Sequence, residues 1–197
     1  KNAPEYKAVV EAAKRSQQAP LELLKAAGAI DSPYQFHWKR FLFDNFPKGT
    51  AFPPLQAPPI KDDLPLSAAQ AFSIDDSATT EIDDAFSVTR LDGGAIEIGI
   101  HIAAPALYFG RDGALEKLAS TRLSTVYFPG DKITMLPDAA VAHATLAEGR
   151  VMPVVSCYAS FDAGFALTGT RSAIEQVKIE RNLRVGALEQ YFHDGAI

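Results

Sequence analysis

Between Asp75 and Asp84 the chain places five carboxylates in ten positions: Asp75, Asp76, Glu81, Asp83 and Asp84. Like charges this close repel, and a fold that gathers them needs a counter-charge. None is at hand locally, because no Lys or Arg occurs between Asp62 and Thr89. Ser77, Thr79 and Thr80 interrupt the run, and such short hydroxyl side chains favour turns over helix. The run is therefore either a solvated acidic loop or a set of oxygen ligands for a hard divalent cation such as magnesium. A calcium loop of the EF-hand type fits poorly: its sixth position, Thr80, lacks the glycine, and its twelfth, Phe86, should be glutamate. The chemistry such ligands could perform is phosphodiester cleavage. Two magnesium ions held about 4 Å apart would activate a water and neutralise the phosphate and leaving oxygens. Composition and spacing do not decide between the solvated loop and the metal site.

Other reactive side chains carry weaker signals. His101 could act as a base or ligand, but a structural hydrogen-bonding role is the plainer expectation. Arg122 could neutralise a phosphate or form a structural salt bridge. The single cysteine, Cys157, excludes an intrachain disulfide framework, fits a reducing compartment, and is expected to pack in the core of a strand. A cytoplasmic location is the expectation. The net charge of −5 argues against a simple basic nucleic-acid-binding surface. No apolar run is long enough for a membrane-spanning helix, so no membrane partner is expected.

The elements that must position these groups fall into two regions. Residues 1–46 read as helical: Pro20 is a helix start, Gly28 a stop, and Ser32-Pro33 an N-cap followed by proline at the first helical position. The helix opened there is rich in aromatics, which are expected to serve a core or a domain interface. Residues 47–69 hold six prolines and read as an extended connector at a domain boundary. From 70 to 197 strands dominate. Residues 95–103 alternate, with Ile96, Ile98, Ile100 and Ile102 on one face and Glu97, Gly99 and His101 on the other. Asp92-Gly93-Gly94 is a hairpin turn back to 86–90, and Asp162-Ala163-Gly164 joins 151–160 to 165–170. Residues 111–121 and 176–192 read as helices. Helices and hairpins are segregated, so the expected class is α+β.

The wording of the acidic run carries a resemblance. Ile74-Asp75 followed by Glu81-Ile82-Asp83-Asp84-Ala85 resembles the signature of the ribonuclease II and ribonuclease R family. His101-Ile102-Ala103, Arg122-Leu123-Ser124-Thr125-Val126-Tyr127-Phe128-Pro129 and Met135-Leu136-Pro137 are similar to further family segments, in the family's order, over roughly residues 70–185. The resemblance implies a mixed or antiparallel-sheet catalytic domain and a hydrolytic, magnesium-dependent 3′→5′ exoribonuclease. Its substrate is single-stranded RNA and its product nucleoside 5′-monophosphates. It implies two magnesium ions, with manganese a substitute, on Asp75, Glu81, Asp83 and Asp84, Asp83 being the critical catalytic one. Tyr127 matches an aromatic that packs near the 3′-terminal nucleotides, and Asn182 falls where many members carry a second stacking tyrosine. Glu81 stands where most members have Asp, and Ala104 where they have another Asp, so a non-catalytic RNA-binding module is the alternative reading. Family catalytic domains are longer, so the expected partner for 70–197 is the remainder of a parent polypeptide. The sequence sets no oligomeric state.

Overall fold

A computed structural model of the chain describes residues 3–54 and 63–193, with side chains described through residue 189. The chain divides into two compact units, Lys1–Ala51 and Phe52–Ile197. The division falls inside the proline-rich stretch, of which residues 55–62, with Pro58 and Pro59, lie outside the described residues.

The first unit holds helices α1 (Pro4–Ser16), α2 (Pro20–Ala26) and α3 (Pro33–Asn45). Each begins with proline, whose fixed φ suits the first helical turn. Ser32 caps α3 by accepting from the Gln35 amide at 3.2 Å. The aromatic α3 departs from the core expectation: none of its residues is buried, and Tyr34 and Phe43 are exposed.

The second unit is built on a closed five-stranded barrel in the order β1-β2-β3-β6-β7. Its strands are β1 (Leu66–Asp75), β2 (Asp84–Arg90), β3 (Ile96–Ala103), β6 (Val151–Phe161) and β7 (Leu167–Arg184). Neighbours are antiparallel except β1 and β7, which close the barrel in parallel. Between β3 and β6 run helix α4 (Ala114–Arg122), the small hairpin β4 (Val126–Phe128) and β5 (Asp131–Ile133), and helix α5 (Asp138–Ala144). Leu115, Ala119, Leu136 and Ala140 form a second apolar cluster beneath them. The class is α+β.

Both hairpins form where the turn residues place them. Gly93 and Gly94 adopt φ of 71° and 82°, which only glycine takes without strain. The Asp162 carboxylate accepts from the Gly164 and Ala166 amides, each at 2.9 Å. Two assignments change. Leu66–Ala69, read as connector, already belong to β1. Residues 176–184, read as helix, are strand, and helix α6 (Val185–His193) starts only after them. Glu, Gln, Lys and Arg in this stretch are good helix formers, but Val177 and Ile179 alternate into the barrel and β7 is paired on both sides.

The barrel interior joins an apolar part, with Met152, Val154, Val177 and Ile179, to a part that is small or hydrogen-bonded. Ala69, Ala71, Ser73, Ala85, Ser87 and Ser156 point inward, around His101 and Tyr158. His101 spans the interior between Ser156 Oγ (2.8 Å, from Nδ1) and Ser87 Oγ (2.9 Å, from Nε2). Burial pushes its pKa down, so the ring is neutral at pH 7. The isoleucine face of β3 is thus the outer one, with Ile100 and Ile102 42% and 45% exposed. Cys157, expected in the core, also faces outward, because alternation from buried Ser156 and Tyr158 puts it on the other side. A Cβ on Gly99 would lie 2.4 Å from Ser87 Oγ and 2.7 Å from His101 Nε2, and both partners are fixed by hydrogen bonds. Gly99→Ala is therefore expected to lower stability by about 1–3 kcal/mol in urea unfolding. An unchanged midpoint would show that the interior has room to spare.

Candidate metal and RNA site

Asp75 ends β1 and Asp84 begins β2, so the acidic run is the crossing from one barrel strand to the next. Its middle is irregular backbone held from several sides. The Arg184 guanidinium, from the end of β7, donates to the carbonyls of Asp76 (2.9 Å) and Thr79 (3.2 Å). Buried Ile82 donates its amide to Thr145 Oγ1 at 2.9 Å and accepts from the Leu146 amide at 2.8 Å. The Asp83 carbonyl accepts from the Ala103 amide at 2.8 Å.

Asp75 is oriented by a relay. Asn182 donates through Nδ2 to Ser73 Oγ (2.9 Å), and Ser73 donates to Asp75 Oδ2 (2.5 Å). The Asn182 amide group also donates to the Leu146 carbonyl and accepts from the Glu148 amide. Asn182, which the resemblance places at a stacking position, thus spends its side chain on the protein's own groups. His101 lies inside the barrel and Arg122 stacks on Phe52, 4.1 Å from the ring centre, while donating to the Thr134 carbonyl at 2.7 Å. Both act as braces in these contacts.

The carboxylates separate into two settings. Desolvation raises the pKa of Asp84, and the negative charges of Asp83 and Asp75 raise it further. Asp84 therefore feels both Asp83 and Asp75. Glu81 instead accepts from the Lys132 ammonium. It borders a depression with Asp76, Thr79, Thr80, Tyr127 and Lys132. Tyr127, opposite Lys132 in the β4–β5 pairing, is 72% exposed. Among the described residues no three His, Cys, Asp or Glu side chains stand close enough together, as placed, to hold a metal ion. The donor set itself suits one: hard carboxylate oxygens whose mutual repulsion a divalent cation would relieve. Lys132, Ser73 and Arg184 were not singled out from the sequence. Lys132 stood between two matched segments as an isolated basic residue and Ser73 lies two residues before Asp75, whereas nothing in the sequence linked Arg184 to the run.

A raised pKa means that the folded state binds a proton more readily than the unfolded one, so Asp84 costs stability as pH rises from the ordinary Asp range through its folded value. In metal-free protein at pH 7, Asp84→Asn is therefore expected to melt above wild type. The gap should close as pH falls through the raised pKa. A variant melting below wild type would mean that the three aspartates do not strain one another.

The sequence profile described as RNB domain matches residues 64–193, well over half of the chain. Exoribonuclease 2 of Vibrio vulnificus is 36% identical over 104 residues, covering 50% of this chain and 16% of that protein. The chain thus spans about a sixth of the length of the curated relatives it matches. Among solved structures, Mycoplasma genitalium RNase R in complex with ribose-methylated single-stranded RNA superposes with a TM-score of 0.62 at 19% identity, covering 68% of this chain and 21% of that one. Yeast Ssd1, described as a pseudonuclease, gives a TM-score of 0.70 at 16% identity, covering 82% of this chain and 22% of that one. The two structural likenesses speak for the fold, and the profile match over most of the barrel unit shows that this chain belongs to the RNB domain family.

Proposed function

We propose that the parent protein is a hydrolytic 3′→5′ exoribonuclease that degrades single-stranded RNA to nucleoside 5′-monophosphates, and that residues 70–197 form the first part of its catalytic domain. The observation that carries this reading is the placement of Asp75, Asp83 and Asp84 along the crossing between two barrel strands, with exposed Tyr127 beside the same loop. Asp83, whose backbone is tied to β3, is the catalytic carboxylate, and Asp75 and Asp84 hold the cation with it. Magnesium, or manganese in its place, would supply a water of lowered pKa and charge neutralisation at the scissile phosphate. Tyr127 offers a ring to a base near the 3′ end, a contact that tolerates any sequence because every base has a π face. The acidic loop itself repels RNA, so backbone-gripping basic groups belong to the remainder of the polypeptide. A cytoplasmic setting goes with this reading, since the single cysteine makes no intrachain disulfide.

One observation favours a second reading, a non-catalytic RNA-binding module. Glu81 is engaged by Lys132, and the described carboxylates are not drawn together around a common point.

The test uses the full-length protein and an RNA labelled at its 5′ end, with magnesium and then with chelator. A ladder shortening from the 3′ end, with mononucleotide release that chelator abolishes, supports the nuclease. RNA bound but intact in both conditions supports the binding module. Asp83→Asn is expected to slow degradation by roughly a hundredfold or more, as loss of a metal-site group does; undiminished cleavage would displace the site. Tyr127→Ala is expected to weaken RNA binding roughly 5- to 150-fold, the value of one stacked base, in a filter-binding titration. Unchanged affinity would make Tyr127 a bystander.

A further inference from the structure

Charge is divided unevenly between the two units. Lys1–Ala51 holds eight Lys or Arg against five Asp or Glu, whereas the rest of the chain holds eleven against nineteen. The acidic balance of the whole chain thus hides a basic first unit. Within that unit α3 is an aromatic helix that buries none of its residues.

Residues at i, i+3, i+4 and i+7 of a helix share one face. Phe36, Lys39, Arg40 and Phe43 stand at that spacing on α3, two cations between two rings. A rise of about 1.5 Å per residue sets the rings roughly 10 Å apart along the helix. Phe43 is 79% exposed, Lys39 and Arg40 are exposed, and Phe36 is half-buried beside His37. Lys39 makes no ion pair among the described residues. Arg40 has a loose one with exposed Asp44 at 3.7 Å, a weak contact that gives way to a stronger anion.

The pattern separates two classes of partner. The centre of a protein–protein contact is depleted of charge, and here two cations occupy the centre. A single-stranded nucleic acid offers the complement of this face, phosphates for the cations and bare base faces for the rings. A duplex keeps its base faces stacked inside and would leave the rings unused.

Building on the proposed function, in which RNA is the substrate and the acidic loop repels its backbone, we propose that this face of α3 is a separate surface for single-stranded RNA. Lys39 and Arg40 take phosphates, and Phe43 stacks on a base. The contact is independent of sequence and plays no part in cleavage.

The test measures binding of full-length protein to labelled oligouridylate by fluorescence anisotropy over a salt series, in chelator so that the RNA stays intact. The double variant Lys39→Gln, Arg40→Gln is expected to bind roughly tenfold more weakly at low salt. Its slope of log affinity against log salt should be shallower by about 1.4, the share of two phosphate contacts on a single strand. Phe43→Leu keeps apolar bulk and loses the π face, and is expected to weaken binding roughly fivefold or more, while Phe43→Trp should bind like wild type. An unchanged affinity and slope in the double variant, or wild-type affinity in Phe43→Leu, overturns the proposal. So does a lowered melting temperature or an altered oligomeric state with RNA affinity intact, which would make the face a contact between protein surfaces. The nuclease reading is judged apart from this. Wild type that binds but never shortens RNA when magnesium is added, with the variants weakened as stated, would sink that reading and leave the α3 surface standing.

Discussion

Repulsion of Asp84 by Asp83 and Asp75 is a constraint that the crossing between β1 and β2 has to meet. Desolvation and then the charges of Asp83 and Asp75 raise the proton affinity of Asp84, and carboxylates so related splay apart unless the backbone beneath them is held. The chain holds it by attachments made away from the charges. Arg184 grips two carbonyls of the loop, Thr145 and Leu146 fasten Ile82, and Ala103 fastens Asp83. The Asn182–Ser73 relay then sets the one carboxylate that leaves the barrel wall at the end of β1. None of these attachments neutralises the three aspartates.

The barrel makes this possible because it is stiff. Its five strands enclose an apolar core that includes Met152, Val154, Val177 and Ile179, together with alanines, serines and a histidine bridged to two of those serines. Buried polar groups are costly unless satisfied, and satisfied networks specify one arrangement. At the barrel's Tyr158, the hydroxyl bonds Ser67 and Glu175 while Arg171 lies over the ring, 3.5 Å from its centre. The strand ends that carry Asp75 and Asp84 therefore start from a fixed frame.

Local chemistry made part of this legible from sequence. Turn glycines and the Asx-type cap at Asp162 act within a few residues, so the hairpins they close were placed correctly. The acidic run and its neighbours were legible through their wording, and the isoleucine alternation gave β3. What escaped depends on distant partners. Residues 176–184 have helix-forming composition, and only pairing with β1 and β6 makes them strand. Alternation told the two faces of β3 apart without saying which was inner; this barrel reverses the usual choice by putting serine and histidine inside. The same reversal turned Cys157 outward. Lys132 reaches Glu81 and Asn182 reaches Ser73 across the fold, where spacing in the chain carries no information.

The outward isoleucines have a practical meaning for anyone handling this segment. Across the barrel wall Ile102, Val155 and Ile174 lie side by side on adjacent strands, next to the row holding Ile100 and Cys157, and all are exposed among the described residues. A continuous greasy surface of this sort drives self-association in water. With a thiol at its centre, clumps formed in air can become cross-linked and resist dilution. Handling this barrel is thus a problem of colloidal chemistry, best met with reductant and low concentration.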